Sequence, residues 1–252
     1  PEQMTYPEWE HAAPAGGSKP SCQDCHLPPA AGTVQISNRP WWLESRSGFG
    51  MHHFVGGNSY MLEILKTRTA DLGVTANATE LDATIDRTLS DLATRSAAIS
   101  IPSAQVSSGI LTAAVKVSNL TGHKLPSGVP LRRAWIHLKV TDRRGNLVFE
   151  SGAPAAGGSI AGNDADAAPG AYEPHYDLID APGQVQIYES VMGDETGNVT
   201  FTFLRGEGYL KDNRLLPNGF DKATATPEIA AYGGAELDPS FTGGAAEVTY
   251  RI

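Results

Sequence analysis

Ser21-Cys22-Gln23-Asp24-Cys25-His26-Leu27-Pro28 sets two thiols three positions apart, with an imidazole directly after the second. Each thiol can add across a vinyl group, the S–H bond breaking as a C–S bond forms. Two intervening residues let both sulfurs reach neighbouring vinyls of one haem. The adjacent imidazole then lies under the iron as proximal ligand. Other uses of the pair fit less well. A thioredoxin-like redox pair belongs beside a βαβ pattern, and none is visible. Two cysteines cannot complete a Cys₄ zinc site, and a disulfide closing so small a loop would stabilise little. Cys22 and Cys25 are the only cysteines in 252 residues. The segment therefore implies one covalent haem c per chain, held by Cys22, Cys25 and His26.

A low-spin electron-transfer haem needs a second axial ligand. The candidates outside the motif are His11, Met51, His52, His53, His123, His137 and His175. His137 sits in an alternating strand pattern and reads as a packing or surface residue; His11 reads as structural. Met51-His52-His53-Phe54-Val55-Gly56-Gly57-Asn58 follows the haem loop, lies among aromatic residues, and carries glycines that let backbone approach a flat macrocycle. His52 is the first choice as distal ligand. His123, in the Gly122–Pro126 turn at a strand end, is the alternative.

The elements that position these residues change texture along the chain. A short helix is expected over Tyr6–Ala12, ahead of the Ala-Pro-Ala-Gly-Gly-Ser stretch at 13–18. Loops to about residue 58 would wrap the haem, with Trp41, Trp42, Phe49 and Phe54 as apolar walls. Two helices follow. The first stops at Gly73. The second, capped by Asn77 or Thr79, carries Leu81, Ile85, Leu89 and Leu92 at helical spacing and ends at Ile101-Pro102. From about residue 103 the period falls to two. Leu111, Ala113, Val115 and Val117 alternate, as do Ala134, Ile136, Leu138 and Val140. Residues 142–146 read as a hairpin turn. Further strands are expected at Gln184–Tyr188, Val199–Leu204 and Glu247–Ile252, and 153–171 as a long, mobile surface loop. The expected fold is α+β: a loop-rich and helical haem region, 1–102, then an antiparallel β-sandwich of immunoglobulin-like type, 103–252.

Composition narrows the partners. A net charge of −9 and a pI near 5.2 argue against phosphate neutralisation, hence against nucleic acid, and would suit a basic redox partner. No apolar run is long enough to span a bilayer. The chain starts at Pro1, and 1–20 lack the basic start and apolar core of a secretion signal, so an upstream segment is expected. The final strand runs to the last residue, which fits continuation at that end too.

Thr5-Tyr6-Pro7-Glu8-Trp9 followed by Cys22-Gln23-Asp24-Cys25-His26-Leu27-Pro28 resembles the E-W…C-Q-D-C-H-M-P segment of bacterial multihaem c-type cytochromes. His52-x-Phe54-x-Gly56-x-Asn58 is similar to that family's H-x-F-x-G-x-N segment, and Gly122-His123-Lys124-Leu125-Pro126-Ser127-Gly128 resembles its G-H-x-x-P-T-G turn. Segments at 133–152, 186–189 and 211–220 also look like its C-terminal domain. The resemblance implies a periplasmic or extracellular electron carrier of a secreted bacterial or archaeal type. Redox proteins, other cytochromes among them, would be its partners, and an oligomer or filament is compatible with it. Family members usually hold several haems, whereas this chain has one motif. His52 or His123 could therefore serve a neighbouring haem. Bis-histidine ligation and electron transfer, rather than catalysis, is the leading expectation. A haem enzyme or sensor with an open distal site is one rival. The other is a β-sandwich binding module with a structural haem, with calcium among Asp142, Asp164, Asp166, Asp177 and Asp180.

Overall fold

The computed structural model describes residues 3–12 and 19–252. The Ala-Pro-Ala-Gly-Gly-Ser stretch lies outside the described residues. The fold is mixed α+β, and the described residues form two compact units: 3–12 with 97–252, and 19–96. The sequence reading assigns the first helix to the haem region. The structure instead groups α1 (Thr5–His11) with the strands, because Glu8 is buried there among charged partners.

In the unit spanning 19–96, α2 (Cys22–His26) is one short helical turn. Ser21 caps it through a reciprocal pair with Asp24, each side chain taking the other's backbone N–H. The chain after α2 runs antiparallel to 46–51. β1 (Thr33–Val34) pairs with β2 (Arg46–Ser47), the Ala30 N–H donates to the Phe49 carbonyl, and the Met51 N–H donates to the Pro28 carbonyl. That pairing carries 51–55 back beside α2. Asn58 caps α3 (Ser59–Thr67), α4 (Thr69–Leu72) ends on left-handed Gly73, and Asn77 caps α5 (Ala78–Asp91) with Glu80 as reciprocal partner. A π-turn, Leu92–Ser96, closes α5, so the helix stops well before Ile101-Pro102.

The other unit is built on β3 (Ala97–Ser107) and β4 (Ile110–Asn119). Ser108 and Gly109 join them, both at positive φ, as a tight hairpin turn requires. Pro102 has no N–H to give a ladder. It falls in the register shift between Ser100 and Ser103, on a strand at the end of its sheet. Then come β5 (Arg133–Trp135), β6 (Leu138–Thr141), β7 (Leu147–Ser151), α6 (Asp164–Ala167), β8 (Leu178–Ile179), β9 (Ile187–Gly193), β10 (Val199–Thr200), β11 (Gly208–Asp212), α7 (Gly234–Leu237) and β12 (Ala245–Arg251). One sheet has the order β3-β4-β12-β8, with β8 parallel to β12 and the other pairs antiparallel. A second gathers β5, β10 and β11 around β9, β6–β7 is a hairpin, and neither sheet closes into a barrel. One core joins them, with Val115 and Val117 of β4, Tyr188 of β9, and Val248 and Tyr250 of β12 packed with Phe149, Leu216 and Phe241.

Two expectations need correction. Residues 153–171 are an anchored loop, not a free one. Asp166 accepts from the Ile160 N–H and the Asn163 amide and pairs with Arg133, while Ile160 and Asn163 are buried. The candidate calcium ligands are not gathered. Asp142 holds the β6–β7 turn by accepting from Arg144 and Asn146, and Asp166 serves its own loop. Among the described residues no group of three or more His, Cys, Asp or Glu side chains could hold a metal ion, and no helix is long and apolar enough to cross a membrane.

Candidate haem-binding site

Within α2 the Cys22 and Cys25 thiols are unpaired, Cys22 exposed and Cys25 half-buried. Residues three apart share a helix face, so both sulfurs can meet one planar group. His26 directly follows. Its Nδ1 lies 2.5 Å from the Val55 carbonyl oxygen. A carbonyl only accepts, so this ring nitrogen carries the proton and the lone pair sits on Nε2. A ligating histidine commonly donates its other N–H in this way, which sets both ring orientation and tautomer.

Val55 is presented by strained backbone. Phe54 has φ 46°, a left-handed conformation uncommon for a bulky residue. Its ring stacks on His52, centroids 5.7 Å apart and planes 25° from parallel. His52 is exposed, and its ring has no hydrogen bond among the described residues; Met51 and His53 are half-buried.

The unit's own core is thin. Val55, Leu81 and Ile85 are its buried apolar side chains, while Trp41 is 85% exposed, Phe54 69% and Tyr60 75%. So few buried residues cannot offset the cost of ordering some eighty, and small domains of this kind are usually stapled by a cofactor or cross-links. Two unpaired thiols, an oriented imidazole and uncovered aromatic surface fit haem c. Cys22 and Cys25 would hold it, and His26 would ligate an iron that changes oxidation state.

The remaining histidines lie in the other unit. His11 Nε2 is 2.8 Å from the Asp221 carbonyl, and His137 Nε2 is 2.8 Å from the Glu150 carboxylate. His175 is occupied at both nitrogens: Nε2 faces Asp238 at 2.9 Å, and Nδ1 accepts from the amides of Gln186 and Asn213. Burial pushes its imidazole below the usual histidine range, more than Asp238 raises it. These three therefore serve structure. His123 is half-buried, with Nδ1 2.9 Å from the Lys124 carbonyl. Among the described residues, His26 and His123 each hold Nδ1 against a backbone carbonyl.

Around His123 the sequence reading missed a buried charge cluster. Arg214 grips Asp212 through Nε and Nη2, at 2.9 and 2.7 Å, and reaches Glu8 at 2.9 Å. Lys124 Nζ meets Asp212 at 2.8 Å, and the Lys124 N–H donates to Glu8 at 3.1 Å. Burial works against the Asp212 carboxylate, but Arg214 and Lys124 outweigh it and hold the group below the usual range. No local pattern marks these four residues as one cluster, because Asp212 and Arg214 are neighbours but Glu8 and Lys124 reach them from distant segments.

No known family pattern matches the chain, and no curated protein matches it. A solved structure similar to it is a penta-heme cytochrome c552 from Thermochromatium tepidum, at 19% identity and a TM-score of 0.44; the match covers all of this chain and 40% of that one. That likeness is too slight to carry a functional argument, and the site is read from its own residues.

Proposed function

We propose that this chain is a c-type cytochrome that passes electrons through one covalently bound haem. The observation that supports this best is the His26–Val55 hydrogen bond beside the Cys22–Cys25 pair: it orients an imidazole as a proximal ligand. Thioether attachment keeps a haem in place where it is exposed enough to exchange electrons, and two strong axial ligands keep its geometry similar in both oxidation states. We place the protein outside the cytoplasm, in a respiratory or extracellular electron-transfer chain, with redox proteins, other cytochromes included, as its partners.

The distal ligand is His52 on the sequence pattern. A second reading assigns that role to His123, and one observation favours it: the Nδ1 contact to the Lys124 carbonyl repeats the arrangement at His26, whereas among the described residues the His52 ring is held by stacking on Phe54 alone. Expression with haem-attachment machinery tests both levels. The denatured protein should carry the mass of one haem that acidified solvent does not extract; extractable haem, or none, defeats the proposal. Reduced and oxidised spectra should be low-spin, and a high-spin spectrum would mean an open axial position. His52→Ala and His123→Ala then separate the ligands, since only loss of the true ligand converts the haem to high-spin.

A further inference from the structure

Three segments of the unit made of 3–12 and 97–252 bring four charged side chains into one buried cluster: Glu8 from α1, Lys124 from the turn after β4, and Asp212 with Arg214 at the end of β11. Each is no more than 5% exposed. Lys124 Nζ lies 2.8 Å from Asp212 Oδ2. It also donates to the Ala230 carbonyl at 2.9 Å and sits 5.9 Å from the centroid of the Phe220 ring, so the amine is held on its other sides too. Arg214 spans the same carboxylate, with Nε 2.9 Å from Oδ1 and Nη2 2.7 Å from Oδ2. That Nη2 is also 2.9 Å from Glu8 Oε1, a contact without hydrogen-bond alignment, which leaves Glu8 acceptor capacity beside Asp212 Oδ2. Burial pushes the Lys124 amine below the usual lysine range, more than Asp212 and Glu8 raise it.

Buried ion networks are a poor source of stability, since neutral groups of similar volume often do as well or better. This one has a chemical use. An amine and a carboxyl held in contact meet at an effective concentration of up to about 10⁵–10⁸ M, and both ions have already given up their hydration. We propose that Lys124 and Asp212 condense to an intramolecular amide, with Arg214 stabilising the carboxyl oxygen under attack and Glu8 carrying the proton. The Lys124 ammonium first passes a proton to Asp212 Oδ2. The freed Nζ lone pair attacks Cγ, a C–N bond forms, and negative charge develops on Oδ1 against Arg214 Nε. Glu8 takes a second proton from Nζ and delivers it to Oδ2; the C–Oδ2 bond breaks and water leaves. One ammonium and one carboxylate become one secondary amide and one water, with no change of oxidation state. Charge balance supports the step. The four side chains sum to zero before it, and the Glu8–Arg214 pair that remains sums to zero after it, so no buried charge is left unpaired. The step lies wholly within this unit and needs no haem.

Mass spectrometry of the full chain, folded and held at neutral pH, tests this. The denatured wild type should weigh less than its sequence with any attached haem by the mass of one water. A tryptic digest should contain a branched peptide joining the segments around Lys124 and Asp212, 88 positions apart. Lys124→Arg should keep its full mass. Glu8→Gln, followed from first folding, should lose water at least tenfold more slowly than wild type. Full wild-type mass with no branched peptide overturns the bond, and so does a water lost equally by Lys124→Arg, which would place the loss elsewhere. A Glu8→Gln rate equal to that of wild type overturns the proton-carrying role. Should either variant fail to fold, the wild-type peptide map alone decides the bond.

Discussion

The Nδ1 of His26 and the carbonyl oxygen of Val55 lie 2.5 Å apart, across 29 residues of chain. This contact ties the Cys22–His26 turn to the segment bearing His52 and Phe54, and it orients the imidazole proposed as proximal ligand. Its loss has a defined consequence. In His26→Ala the thioethers can still form, so covalent haem should persist while the low-spin spectrum is lost. Intact mass together with absorption spectra checks this, and an unchanged spectrum would exclude His26 as ligand.

Removal of both thiols should unfold one unit and spare the other. Residues 19–96 bury only Val55, Leu81 and Ile85 as apolar core, whereas the strand unit has a large one. In Cys22→Ala/Cys25→Ala, limited proteolysis should cut first within 19–96 and leave a stable product covering most of 97–252. Equal resistance of the two regions would show that the haem contributes little to the fold.

The buried charges should be costly to break singly. Asp212→Asn leaves Lys124 and Arg214 without their shared carboxylate, and loss of one partner in a buried network typically costs about 3 to 5 kcal/mol. Urea unfolding of the strand unit measures this; a loss below about 1 kcal/mol would mean that water reaches the cluster.

Acid should weaken the strand unit through His175. Burial depresses its folded-state pKa, outweighing Asp238 and Asp177, while Lys211 adds to the depression. Nδ1 accepts two amide N–H groups and cannot take a proton without losing them. A depressed histidine favours the neutral folded form. Its contribution is therefore complete above the unfolded value, about 6.5, and is lost as pH falls below it. Chemical denaturation between pH 7 and pH 5 should show stability falling in wild type. The His175-dependent part of that slope should vanish in His175→Gln, which starts from lower stability at neutral pH. An identical slope in both proteins would remove His175 as the cause.

Gly152 should tolerate nothing larger. Its φ is 73°, and an added Cβ would lie 2.4 Å from the Ile136 carbonyl oxygen, which is backbone and cannot swing away. Gly152→Ala should cost at least about 2 kcal/mol, combining left-handed strain with overpacking. Gly109→Ala, at φ 81° with open space around it, should cost about 1 kcal/mol. Thermal melts of the two variants give the comparison, and equal shifts would contradict it.

Local chemistry was legible in the sequence. The Cys22–Cys25–His26 spacing is a property of one helical turn, and the Asn77 cap, the Gly73 stop and the alternation of Ala113, Val115 and Val117 arise among residues a few positions apart. Propensity and periodicity carry such signals. Strand ends were less legible. The alternation over 134–140 ran through what became β5 and β6, which pair with different partners, and β9 began at Ile187 rather than Gln184, whose N–H closes a turn onto the Ala181 carbonyl. Tertiary structure alone decided which histidines were already occupied, which carbonyl would orient His26, and that α1 packs with the strands. Those outcomes rest on contacts such as Glu8 with the Lys124 N–H, 116 positions apart, and Asn213 with His175. A backbone carbonyl or a distant carboxylate has no periodicity to betray it; it becomes a partner only when folding removes water from both groups and leaves each the other's best hydrogen bond.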